Sequence, residues 1–235
     1  MLLAQLLFTF VLYGMGAALL AGALLPGLWL FWYFWTALDP QTIFAKALIP
    51  ALCGGVGFFL FGLTLMAETV LLRIACGMKL RPGEYKLISA ESFRWAFVNA
   101  MFMIVKFTFM DFIKGTPLLP FYFRLMGAKI GRGVIINTKD IGDISLIEIG
   151  DYSVIGGEAV VIAHLAEQGR LKLQKTCIGK KVTIGLGSVL MPGCTIGDGS
   201  VVAARSVLPK FTQVPPGVLI AGTPAKVMKP LEEKQ

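Results

Sequence analysis

The chain contains one histidine, His164, in the run Val161-Ile-Ala-His-Leu. An imidazole can take a proton from a hydroxyl or amine near neutral pH and pass it on, which is the work of a general base in group transfer. Glu167, three residues later, can orient such a ring or receive a cationic acceptor; a solvated loop carboxylate is the alternative reading. The four cysteines, Cys53, Cys76, Cys177 and Cys194, form no C-x-x-C pair, and Cys53 lies in an apolar run. They point to neither a disulfide framework nor a zinc site, and to a reducing compartment for the soluble part. The chemistry on offer is proton transfer, and no metal is expected.

The elements around His164 announce themselves by period. An aliphatic residue recurs every six positions at Ile149, Ile155 and Val161, and again at Ile178, Ile184, Leu190, Ile196, Val202 and Leu208. Small residues follow four positions later, among them Ser153, Ala159, Val182, Ser188, Ser200 and Ser206. Six is neither the 3.6 period of a helix nor a long strand alternation, so each unit must be a short strand and a turn. Stacked units form a solenoid with an aliphatic ladder inside. Ile178 follows Val161 by seventeen positions, one hexad plus eleven residues, so Leu165–Cys177 is expected to leave the coil as a loop beginning next to His164.

The repeat, running from Gly127-Ala-Lys-Ile-Gly131 to Gly222-Thr-Pro-Ala-Lys226, resembles the hexapeptide-repeat acyltransferases. Resemblance covers roughly the last hundred residues. It implies a left-handed parallel β-helix with three hexads per coil, about four coils, and a homotrimer. Arg124–Gly131, Ile147–Ile155 and Ala163–Leu173 are most similar to the carboxyl-terminal membrane and repeat units of poly-lysine-synthetase-type non-ribosomal synthetases. In this family a histidine beside such a loop is the general base, which assigns that role to His164. Gly185, Gly187 and Ser188, with Gly222, Pro224 and Lys226, match positions where relatives line the pantetheine arm and nucleotide of coenzyme A. Lys210 and Lys226 are candidates for its phosphates, or else solvated surface charges. Asn137, Thr138, Asp140 and Asp143, in an irregular stretch before the regular coils, are candidates for contact with the acceptor. Backbone N–H groups at solenoid turns can serve the oxyanion of acyl transfer. One histidine per chain does not match the three-histidine zinc site of γ-class carbonic anhydrases. Nor is there the Gly-rich nucleotide-binding domain that precedes the β-helix in sugar nucleotidyltransferases.

The first third has a different composition. Only 15% of the 235 residues are charged against 56% hydrophobic, and mean hydropathy is +0.74, which excludes a wholly soluble or disordered protein. Leu2–Trp35 is apolar and longer than a hydrocarbon core requires, so a helix is expected near residues 3–27 with an interfacial aromatic belt at 29–35. A signal peptide would show a basic start and a shorter apolar stretch. A second span runs Ala47–Leu72, with Glu68 one turn from Arg73. The loop over 36–45 has no Lys or Arg, whereas Arg73, Lys79, Arg81 and Lys86 follow the second span, which puts everything after residue 73 on the cytoplasmic side. Gly14, Ala18 and Gly22 form a small-residue face for the second helix or for another copy. Residues 92–113 have too short an apolar core to span and read as an interfacial helix. The net charge of +8 lacks the runs of a nucleic-acid binder, and no nucleic-acid partner is expected.

The expected architecture is therefore a membrane α-helical hairpin plus a left-handed parallel β-helix of hexapeptide repeats. The divisions fall at 1–76 (two transmembrane helices), 77–123 (interfacial connector), 124–228 (β-helix) and 229–235 (tail). The expected activity is transfer of an acyl group, acetyl foremost, from a pantetheine thioester such as acetyl-CoA to a hydroxyl or amine, with His164 as base and a membrane-linked acceptor. Aminoacyl transfer from a carrier protein and a non-catalytic trimeric scaffold are the alternatives.

Overall fold

The structure is a computed structural model that describes residues 2–230; the end of the expected tail, from residue 231, lies outside the described residues. Two compact units are present, one made of Met1–Cys76 and Ala100–Phe109, the other of Gly77–Asn99 and Met110–Gln235.

In the first unit α1 spans Leu2–Leu38 and α2 spans Ile43–Ala75. Both are long and apolar enough to cross a membrane by length and composition. The helix expected to stop near residue 27 continues through Pro26 for another three turns. A proline is tolerated inside an apolar helix whose neighbours and local adjustments satisfy the freed backbone. The aromatic residues beyond it pair one turn apart along the same helix, Trp29 with Tyr33 at 5.8 Å and Phe31 with Trp35 at 5.6 Å between ring centroids. Close approach of α1 to α2 centres on Gly27, where an added Cβ would stand 3.1 Å from the Gly57 Cα. Of the expected small-residue face, Gly22 meets the Glu68 carboxyl, and Gly14 has nothing within 4 Å. Thr42 caps α2, its hydroxyl accepting from the Ala45 N–H at 3.2 Å.

The segment expected as one helix over 92–113 is α3 at Ala90–Thr108 followed by the single turn α4 at Met110–Ile113. Within the first unit, Met101, Phe102, Val105 and Phe109 are buried, and the Phe109 ring lies 5.7 Å from that of Phe58. Helix α5, Leu118–Leu125, closes the entry to the repeats; the Arg124 guanidinium donates to the Ile130 carbonyl at 2.9 Å and to that of Gly131.

The repeats fold as a three-faced parallel coil. One face stacks Lys129–Ile130, Ile147–Ile149, Thr176–Ile178, Thr195–Ile196 and Gln213–Val214. The second stacks Ile135–Ile136, Val154–Ile155, Thr183–Ile184, Val201–Val202 and Val218–Gly222, with Ala225–Pro230 folded back antiparallel. The third stacks Val160–Val161, Val189–Leu190 and Val207–Leu208. Register is that of the hexads: Ile149 pairs with Ile178, Ile184 with Val202, Leu190 with Leu208. All nine aliphatic repeat residues are at most 3% exposed, and each contributes on the order of 1.5–3 kcal/mol of burial. The small residues four positions on are buried at the corners, where the serine hydroxyls reach the next coil: Ser153 donates to the Gly179 carbonyl at 2.7 Å and Ser200 to that of Pro215 at 2.8 Å.

Two interruptions break this regularity. The expected loop after His164 is a hairpin. Strand β1, Gly83–Lys86, β2, His164–Glu167, and β3, Arg170–Leu173, form an antiparallel sheet in the order β1–β3–β2. Its turn is Gln168-Gly169, with φ of 51° and 71°, the left-handed pair that suits a two-residue hairpin. The chain is back in the coil by Thr176. The first coil holds the other interruption, a 3-10 turn at Ile144–Leu146 entered through Asp143 with φ 52°.

Candidate active site

The two interruptions meet. Asp143, at the turn of the first coil, is fully buried, and its Oδ2 lies 2.6 Å from Nδ1 of His164, at the start of β2. Three further donors converge on this carboxylate: Trp95 Nε1–H at 2.7 Å and Asn99 Nδ2–H at 3.3 Å on Oδ1, and the Ala163 amide at 3.0 Å on Oδ2. Trp95 and Asn99 are four apart on α3 and so share a face of that helix; Asn99 also donates to the Trp95 carbonyl at 3.1 Å. Burial disfavours the ionised Asp143, yet the hydrogen bond and charge of His164, with the Trp95 indole and the Ala163 amide, outweigh it and hold the carboxyl below the usual range.

A carboxylate only accepts hydrogen bonds, so Nδ1 of His164 carries a proton and the neutral ring keeps its lone pair on Nε2. The Trp95 ring stands 4.8 Å from the imidazole, tilted by 58°, and limits its rotation. About a third of the His164 side chain, 32%, is open to solvent. The ring is thus oriented, tautomerically fixed and reachable, the requirements for a general base.

The other expected site residues divide. Asp143, expected to touch the acceptor, instead holds the histidine, and so takes the ring-orienting place considered for Glu167. Glu167 turns to Lys210, whose ammonium lies 2.8 and 2.9 Å from its two oxygens, and that hydrogen bond keeps its carboxyl below the usual range. Lys172 lies 3.8 Å from Glu167 and 3.7 Å from Glu84, tying β3 to β2 and β1. Lys210, expected at phosphates, is engaged in this ion pair.

Thr138 is buried, and its hydroxyl accepts from the Asp140 N–H at 3.1 Å in a local turn. Asn137 is exposed beside Gly115 and Gly157. Asp140 accepts the Val161 amide on its backbone carbonyl at 3.0 Å. Ser188 is fully buried at a corner of the coil and donates to the Ala203 carbonyl at 2.9 Å. Gly185 and Gly187 spend their N–H groups on the Val202 and Gly157 carbonyls, so neither amide is free for an oxyanion. Gly222 and Pro224 lie where the chain turns back at the end of the coil, and Lys226 is exposed on the returning strand. Cys177 and Cys194 are pushed toward the neutral thiol by burial. Among the described residues no cluster of three His, Cys, Asp or Glu side chains could hold a metal ion.

The hexad period does not point to Trp95, Asn99 or Lys172. The local signal for the first two is their four-residue spacing, which puts an indole N–H and a side-chain amide on one face of α3.

A family model described as bacterial transferase hexapeptide (six repeats) matches residues 176–210. Delta-poly-L-ornithine synthetase of Acinetobacter baumannii (strain AB307-0294) is 26% identical over 117 residues, which are 50% of this chain and 9% of that protein. The likeness to poly-amino-acid synthetases is therefore confined to a small part of their length. WcaF of Escherichia coli (strain K12), which bears the name of a colanic acid biosynthesis acetyltransferase, is 31% identical over 134 residues, 46% of this chain and 72% of that protein. A crystal structure of a hexapeptide-repeat acetyltransferase from Vibrio cholerae O1 biovar eltor, complexed with acetyl coenzyme A, is 31% identical with a TM-score of 0.41, over 46% of this chain and 62% of that one. The sixfold ladder of the coil and the extent of the match to WcaF lead to one conclusion: this chain belongs to the hexapeptide-repeat acyltransferases, the family of the left-handed parallel β-helix.

Proposed function

We propose that the protein is a membrane-anchored acyltransferase that moves an acetyl group from coenzyme A to a hydroxyl or amine, with His164 as general base. The observation that carries this reading is the Nδ1–Oδ2 contact of 2.6 Å between His164 and the buried Asp143. Nε2 of His164 removes the acceptor proton as the acceptor oxygen or nitrogen attacks the thioester carbonyl carbon. The tetrahedral oxyanion collapses, the carbon–sulfur bond breaks, and the imidazolium returns its proton to the departing thiolate. Asp143 balances the charge on the ring while it holds that proton.

Acetyl and coenzyme A are favoured by the name of WcaF and by the ligand of the Vibrio cholerae protein. Lys226 and the chain reversal around Gly222 and Pro224 remain the proposed contacts for the nucleotide. Anchoring through α1 and α2 rests on their length and apolarity and favours a membrane-linked acceptor. The positive residues after α2 favour a cytoplasmic β-helix. The proposed assembly is a homotrimer. A second reading, aminoacyl transfer from a carrier protein, is favoured by the identity to the poly-ornithine synthetase; both donors present the same pantetheine arm.

The test is thiol release from acetyl-CoA by the purified full chain with panels of hydroxyl and amine acceptors, wild type against His164→Ala. Acceptor-dependent release abolished by the substitution is expected. Equal release by both proteins would refute the assignment.

A further inference from the structure

On residues that the proposed transfer does not use, the second unit holds a cavity of about 440 Å³. Four cationic side chains line it, Lys79, Arg81, Lys129 and Lys175, with a single carboxylate, Glu148. Lys175 lies 2.9 Å and Lys129 3.0 Å from Glu148, and these hydrogen bonds, chiefly that of Lys175, hold the Glu148 carboxyl below the usual range. One carboxylate against four cations leaves the lining strongly positive. Leu80, only 3% exposed, pins the backbone between Lys79 and Arg81, which are both exposed.

The wall also contains Ser145. Its hydroxyl oxygen is buried and has no hydrogen-bond partner among the described residues. An unpaired buried hydroxyl is costly, and a ligand that brings acceptor oxygens would relieve it. The lining combines an Arg fork, three ammonium groups and an unpaired O–H donor. Such a set suits an anion with several oxygens and more than one negative charge better than a single carboxylate.

We propose that this cavity binds a phosphate-bearing group, either the headgroup of an anionic lipid or a soluble phosphate compound. The site is separate from the Asp143–His164 pair, so His164→Ala is expected to abolish transfer and keep the binding.

The test is calorimetric titration of the full chain, in an uncharged detergent at low salt, with inorganic pyrophosphate. Saturable binding is expected. The double variant Lys79→Gln/Arg81→Gln should weaken it at least about tenfold, because charge-assisted bonds carry the affinity. Ser145→Ala should weaken it about threefold or more with the melting temperature unchanged or raised, since the substitution removes an unpaired hydroxyl. Lys229→Gln, an exposed cation on the returning strand, should leave it unchanged. Competition by phosphatidylglycerol micelles would identify the lipid headgroup as the source, and pyrophosphate binding indifferent to those micelles would identify a soluble phosphate. Absence of saturable binding, or binding that ignores the double substitution, would overturn the proposal.

Discussion

Trp95 donates its indole N–H to Asp143 Oδ1 at 2.7 Å. The same ring stands 4.8 Å from His164, so one side chain both anchors the carboxylate and flanks the imidazole it orients. Trp95→Phe keeps an aromatic ring there and deletes the donor. A hydrogen bond to a buried charge is worth about 1.5–3 kcal/mol, so a loss of that size in denaturant unfolding is expected. The turnover number should fall by roughly tenfold with little change in KM, as positioning predicts. Unchanged turnover in a destabilised variant would reduce Trp95 to a packing residue.

Acid should act through Asp143. Its folded carboxyl ionises below the usual range, so the stability it contributes is fully present above its unfolded value of about 3.9 and is lost as pH falls toward the lower folded value. Melting curves of wild type and Asp143→Asn, recorded between about pH 6 and pH 3, should therefore converge on acidification. Other carboxylates hold ion pairs, so the difference between the two proteins is the informative quantity. A constant difference across that range would contradict the assignment.

Glu167 and Lys210 offer a contrast. Their ion pair is exposed to solvent at both ends, and such pairs add little to stability. Glu167→Gln should leave the melting temperature unchanged and the turnover number within about twofold of wild type. It also frees the Lys210 ammonium, so any kinetic effect should fall on KM for acetyl-CoA. A large drop in turnover would return Glu167 to the ring-orienting role.

Gly185 is where coil stacking leaves no room. A Cβ there would come 2.7 Å from the Ala204 Cα and still closer to its amide nitrogen. Backbone cannot swing aside as a flexible side chain can, so Gly185→Ala should cost about 1–3 kcal/mol by overpacking. Chemical denaturation checks this, and a variant as stable as wild type would show that adjacent coils are more loosely stacked than the structure has them.

The coil was legible because its signal is local and repeated. Ile149, Ile178 and Ile196 each restate the same rule, and each is buried where that rule puts it. His164 was legible because it is the sole histidine and sits where the period fails. The hairpin that follows it is hidden behind the broken period, although Gln168-Gly169, between the run from His164 and the short alternation of Leu171 and Leu173, carries a two-residue turn signal. The partner of His164 was harder to find. Asp143 lies 21 residues away, and Trp95 lies 48 residues from Asp143. Contacts of that separation depend on how an irregular first coil and a helix outside the repeat come together, and no periodicity encodes them. Pro26 is the opposite case: a strong local breaker is overridden inside α1, because in apolar surroundings the backbone has no partners outside the helix and local adjustment accommodates the proline.

The most direct test of the Asp143–His164 pair is the turnover number of Asp143→Asn for acetyl transfer, normalised to folded protein. Asparagine preserves shape but supplies no charge and no obligatory acceptor for Nδ1–H, so the ring loses both its fixed tautomer and its counter-ion. A fall of about a hundredfold or more is predicted. A turnover number equal to that of wild type would contradict the account.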